Sequence, residues 1–102
     1  MIKYDATFEK KGDMVYISHL DLMTLMRRAI RRAGLPFVLT GGFSPRVKIS
    51  MPKALKLGWE SDREEMSFWL REEKRERPEN IAETINRQLP EGVRMLEVAE
   101  AN

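Results

Sequence analysis

The chain contains no cysteine. That absence excludes disulfides, a cysteine-held iron–sulfur cluster, a thiolate zinc site and a cysteine nucleophile. There is one histidine, His19, which excludes the commoner multi-histidine metal sites. No run of about 18 apolar residues occurs, so no transmembrane helix is encoded. Met1-Ile2-Lys3-Tyr4-Asp5 lacks the basic-then-apolar order of a secretory leader. Together these absences point to a cytoplasmic location, to no metal and no resident cofactor, and away from a self-contained enzyme.

What is present fits one small globular domain over residues 1–102. Hydrophobic residues make up 42% and charged residues 33%, too apolar a mixture for a disordered tail. The net charge of +2 hides an uneven distribution. Residues 1–58 carry eleven Lys/Arg and four Asp/Glu, a balance of +7, and residues 59–102 carry seven against twelve, a balance of −5. Such asymmetry implies either a basic interaction surface or two faces that neutralise one another in space.

Periodicity sets the expected elements. Ile2, Tyr4, Ala6 and Phe8 alternate with polar residues, the signature of a half-buried strand. Met14 to Ile17 reads as an extended run leading into a helix. Ser18 suits an N-cap, with Asp21 three residues on. A helix is expected over about 19–33, with Leu22, Met26, Ala29, Ile30 and Ala33 as its apolar stripe. Gly34 and Pro36 end it. Phe37 to Thr40 is a short apolar segment, Gly41 to Pro45 a loop, and 46–51 a second strand with Val47, Ile49 and Met51 on one side. A third strand is expected over 64–72, a second helix over 78–89 with Ile81, Ile85 and Leu89 inward, and a last strand over 93–99. The order strand, helix, strand, strand, helix, strand is the split βαβ pattern of ferredoxin-like α+β folds. It places two helices on one face of a four-stranded antiparallel sheet. The other face, expected to carry Lys3, Asp5, Thr7, Arg46, Lys48, Ser67, Trp69 and Arg71, stays open unless a partner covers it.

The most informative local feature is Gly41-Gly42-Phe43-Ser44-Pro45-Arg46-Val47-Lys48. Glycines let backbone N–H groups approach a ligand, and Arg46 and Lys48 add positive charge, a combination suited to phosphate. A Walker loop is excluded because its Gly-Lys-Ser/Thr ending is missing, and a plain tight turn is the simpler alternative. Arg27, Arg28, Arg31 and Arg32 form a dense basic row on the first helix, which either meets a ligand or pairs with Glu72, Glu73 or Glu76. Trp69, on the polar phase of its strand beside Arg71, is a stacking candidate for single-stranded RNA or a docking residue. His19, the one imidazole, is a general-base candidate. Beside Ser18 at a helix start, a structural histidine hydrogen-bonded near the cap is the simpler reading.

Three ordered blocks resemble a known family. They are Tyr16-Ile17-Ser18-His19-Leu20-Asp21, Arg28-Ala29-Ile30-Arg31-Arg32-Ala33-Gly34-Leu35-Pro36 and Gly42-Phe43-Ser44-Pro45-Arg46-Val47-Lys48-Ile49-Ser50. They look like the radical-SAM-linked bacterial domain of unknown function, which is usually fused to or encoded beside a radical SAM protein with a B12-binding-like region. Leu57-Gly58, Glu60-Ser61 and Leu89-Pro90-Glu91-Gly92 are similar to its later signatures. The family loop often has proline where Val47 stands, and the family domain is about twice this length, so the chain resembles its N-terminal half or a cut-down relative. The resemblance implies an accessory domain that presents a substrate, with the missing half-domain or a radical SAM protein as partner. The radical SAM cluster would then lie on that partner, and the resemblance points toward RNA- or ribosome-related metabolism.

Three functional readings follow. The leading one is a non-catalytic module that binds an anionic ligand, RNA, through Arg27, Arg28, Arg31, Gly41, Gly42, Ser44, Arg46 and Lys48, with Ser18 and His19 positioning and Trp69 stacking or docking. The second is a metal-independent ribonuclease using His19 near the Gly41-Gly42 loop, by analogy with ferredoxin-like CRISPR endoribonucleases. The third is a protein-interaction domain, including self-association into a homo-oligomer through the open sheet face.

Overall fold

A computed structural model describes residues 1–54, 56–71 and 76–101. Along the chain run β1 (Ile2–Lys10), a 3₁₀ helix (Gly12–Tyr16), α1 (His19–Arg32), β2 (Ile49–Ser50), β3 (Ser61–Leu70), α2 (Pro78–Asn86) and β4 (Val93–Glu100). The strands form one antiparallel sheet in the order β2-β3-β1-β4. This is the α+β, split βαβ arrangement that the periodicity predicts.

The strand alternation explains why one sheet face is core. Ile2, Tyr4, Ala6 and Phe8 of β1, Met66, Phe68 and Leu70 of β3, and Val93, Met95 and Val98 of β4 are all buried. They pack with Leu22, Met26, Ala29 and Ile30 of α1 and with Ile81 and Ile85 of α2. Burying a side chain of this kind stabilises by about 1.5–3 kcal/mol. Tyr4 lies opposite Phe68 in the register, and their rings stack at 5.6 Å between centroids, a cross-strand pair that adds to the burial itself.

Lys10 continues the inward phase of β1 and is buried. Its stem covers the edge of the core while its ammonium donates to the Lys56 carbonyl at 3.2 Å, the usual way a lysine divides itself between apolar and polar surroundings.

Several boundaries differ from expectation, each for a tertiary reason. Residues 14–16 are not extended, although Ile17 is. The 3₁₀ helix forms there instead, held from outside by Gly58 N–H donating to the Val15 carbonyl at 2.7 Å and by Gly12 N–H donating to Glu60 Oε2 at 3.1 Å. The third strand begins at Ser61, three residues early, because β1 is long enough to pair Lys10 with Ser61; its expected end at Glu72 lies outside the described residues. α2 stops at Asn86, and the chain tightens over 87–89 through bonds such as Gln88 N–H to the Ile85 carbonyl at 2.9 Å.

The largest change concerns 36–50. Of the expected strand 46–51, Ile49 and Ser50 alone pair with β3 among the described residues. Residues 46–48 pair instead with 38–40: Lys48 N–H donates to the Val38 carbonyl at 2.7 Å, Thr40 N–H donates to the Arg46 carbonyl at 2.8 Å, and Leu39 bridges Val47. The apolar segment 37–40 and the expected strand 46–51 are thus two arms of a ragged hairpin. Val38 N–H donates to the Trp69 carbonyl and Arg71 N–H to the Pro36 carbonyl, which tie the hairpin to the end of β3.

Candidate anion-binding site

α1 supplies the first half of the site. Ser18 caps it, its Oγ accepting from Asp21 N–H at 3.1 Å. With Leu22, Met26, Ala29 and Ile30 committed to the core, helical geometry puts Thr24, Arg27, Arg28 and Arg31 together on a flank, at spacings of three and four. The hairpin supplies the second half. Val47 is buried, and its carbonyl accepts from Arg27 Nε at 3.2 Å. This bond docks the outgoing arm against α1.

Between the two lies a shallow groove of about 440 Å³, lined by Thr24, Arg27, Arg28, Arg31, Pro45, Arg46 and Val47. Among the described residues, its wall holds four arginines and no carboxylate. Among the described residues, no ion pair engages Arg28, Arg31 or Arg46. Two like charges about 7 Å apart repel by about 0.6 kcal/mol in water and about 2 kcal/mol near a protein surface. The Arg27 guanidinium feels this crowding: burial first, and then the charge of Arg46, hold its pKa below the ordinary arginine value. An incoming anion relieves that repulsion, and arginine forks donate to a phosphate in bidentate fashion.

The glycine loop leads into the groove wall at Pro45 and Arg46. Its neck is fixed by the Thr40–Arg46 backbone bond and by Arg46 N–H donating to Thr40 Oγ1 at 3.1 Å. Gly42 has φ +97° with open space where a Cβ would stand, so the turn itself requires glycine there. Gly41 has a φ any residue could adopt. Ser44 is exposed on the same loop.

The remaining sequence candidates fall elsewhere. Lys48 does not join Arg46; its ammonium lies 4.7 Å from the centre of the Trp69 ring, with Lys3 at 5.6 Å from the neighbouring strand. Arg46, expected on the open face with Lys48, lines the groove beside α1 because the hairpin turns that arm away from β3. Trp69 is therefore flanked across the strands by two lysines, and Ser67 donates to Asp5 at 2.7 Å beside it. His19 sits half-buried in the first turn of α1, its Nδ1 enclosed without a hydrogen-bond partner, and it does not line the groove. Ser18 is occupied by its cap. Glu76, one expected acid partner of the helix arginines, accepts instead from Asn80 Nδ2, while Glu72 and Glu73 lie outside the described residues. Arg71 is exposed at the end of β3.

A larger hollow of about 800 Å³ lies away from the groove, lined in part by Glu9, Lys11, Asp13, Asn86 and Arg94. Its charges are of both signs. Lys11 bridges Glu9 and Asp62, each at 3.1 Å, and these bonds, Glu9's first, hold its ammonium above the ordinary lysine range. Asn86 exchanges two hydrogen bonds with the Met95 backbone. No group of three His, Asp or Glu side chains able to hold a metal gathers among the described residues, and no described helix is long and apolar enough to cross a membrane.

Residues 3–102 match the family described as "Uncharacterized protein conserved in bacteria (DUF2344)". The chain belongs to that family. No curated protein and no solved structure matches it. In this DUF2344 member, Thr24 lines the groove without standing out in the sequence, because it carries no signal beyond helical phase.

Proposed function

We propose that the chain is a binding module for an anionic ligand, RNA, and that it works beside a radical SAM protein. The observation that carries the first part is the groove, where Arg27, Arg28, Arg31 and Arg46 converge on a wall that has no carboxylate among the described residues. Arginines in that arrangement neutralise phosphates and set the register of a strand without reading its bases. The second part rests on the three sequence blocks that resemble the radical-SAM-linked domain. A cluster of the cysteine-ligated kind finds no ligand on a chain without cysteine, so radical chemistry belongs to the partner, and this chain's part is to hold substrate.

A salt titration tests the binding. With about four phosphates neutralised, log K for a single strand falls against log salt with a slope of about −2.8, or about 50-fold between 50 and 200 mM. Removing two charges in an Arg28→Ala/Arg46→Ala variant halves that slope. No binding at 50 mM salt, or an unchanged slope in the variant, overturns the groove as the binding site.

A further inference from the structure

We infer that Phe43 is a stacking residue for an unpaired base, so that the ligand of the arginine groove is single-stranded rather than duplex RNA. The inference rests on the groove reading above and adds to it the kind of strand and a residue of another chemistry.

Of the four phenylalanines, Phe8 and Phe68 are core, Phe37 lies beneath the Arg31 guanidinium at 5.3 Å, and Phe43 is 108% exposed. Neither the fold nor the turn uses its ring. The turn needs Gly42 and is served by Pro45, while phenylalanine has no turn chemistry of its own. The exposure is held in place, because the loop's neck is closed by hydrogen bonds between Thr40 and Arg46. Phe43 stands two residues from Pro45 and three from Arg46, which both line the groove. Two residues span at most about 7 Å, about two nucleotide rises of a stacked strand. A strand whose phosphates lie on Arg28, Arg31 and Arg46 therefore brings a base to the ring. Only an unpaired base offers its face, since in a duplex both faces are already stacked. The lysine-flanked Trp69 ring is the poorer platform.

The test compares three probes on the full chain: a labelled oligoadenylate, inorganic polyphosphate, and phosphatidylglycerol vesicles. Phe43→Ala should leave the thermal midpoint unchanged, weaken oligoadenylate binding about 5- to 150-fold and leave polyphosphate binding unchanged, and Phe43→Trp should restore it. Arg28→Ala/Arg46→Ala should weaken both polyanions. Oligoadenylate affinity unmoved by Phe43→Ala, or both polyanions weakened equally by it, overturns the stacking role while the groove stands. Vesicle binding lost in Phe43→Ala with oligoadenylate unaffected also overturns it, and assigns the ring to lipid. Failure of wild type to bind either polyanion at low salt overturns the groove itself, and the stacking with it.

Discussion

Gly42 and Gly92 share a backbone angle, φ +97°, and differ in what surrounds them. Around Gly42 nothing lies within 4 Å of a built Cβ. At Gly92 that atom would stand 2.5 Å from the Lys11 carbonyl oxygen and 2.7 Å from Met14 Cγ. The Met14 side chain can swing away. The Lys11 backbone cannot, because its N–H donates to the Gly92 carbonyl at 2.7 Å and locks the approach. Alanine at either position adopts a conformation L-residues avoid, at about 1–3 kcal/mol. Gly92→Ala adds an overlap of the kind that costs about 1–3 kcal/mol in a filled interior. Gly42→Ala should therefore lower stability by about 1–3 kcal/mol, and Gly92→Ala by about 2–6 kcal/mol. For a chain of this size the gap between the variants is roughly 5–20 °C in midpoint. Paired thermal melts by circular dichroism read it directly. Equal losses, or a larger loss for Gly42→Ala, would refute the claim that close approach rather than φ sets the requirement at Gly92.

Two further outcomes test the frame that holds the site. Asn86→Ala removes a side chain that accepts from Met95 N–H at 2.7 Å and donates to the Met95 carbonyl at 3.0 Å. Leaving both backbone groups unpaired should cost about 2–5 kcal/mol, seen as a lower urea midpoint with an unchanged slope. Ser18→Ala removes the α1 cap and should cost about 0.5–2 kcal/mol, while Ser18→Asp retains most of it; a Ser18→Asp variant as unstable as Ser18→Ala in the same urea titration would contradict the capping role.

The elements legible in the sequence are those whose causes are local. α1 was readable in its cap, stripe and stop, because the 3.6-residue period, Ser18 and Gly34 all lie within the segment itself. β1 was readable by alternation, which continues as far as Lys10. What escaped is what depends on distant partners. The 3₁₀ helix at 12–16 is held by Gly58 and Glu60, about 45 residues away in sequence. The arm 46–48 has the alternation of a sheet strand, but its hydrogen-bonding groups are taken by 38–40. The same division runs through the site. The arginines of α1 and Arg46 were visible as two separate basic stretches. Their convergence depends on the Arg27 Nε bond to the Val47 carbonyl, which no spacing rule reveals.

The charge asymmetry gains a spatial meaning from the ion pairs. Two faces that neutralise one another would place the acids of the second half against the arginines of the first. The described pairs run otherwise: Lys11 with Glu9 and Asp62, Arg63 with Glu97, Arg87 with Glu83. Glu60 is taken by Gly12 N–H and Glu64 by Ser61. These contacts are exposed or partly exposed, and each contributes little to stability, but they determine where carboxylates are held. They keep these described acids with partners on the sheet, on α2 and in the loop before β3, and off the wall of the groove. At physiological salt, charges further than about 8 Å away are largely screened, so a phosphate at the groove responds to Arg28, Arg31 and Arg46 rather than to the chain's overall +2. A near-neutral chain can in this way present a strongly basic site without the nonspecific attraction that a uniformly basic surface carries.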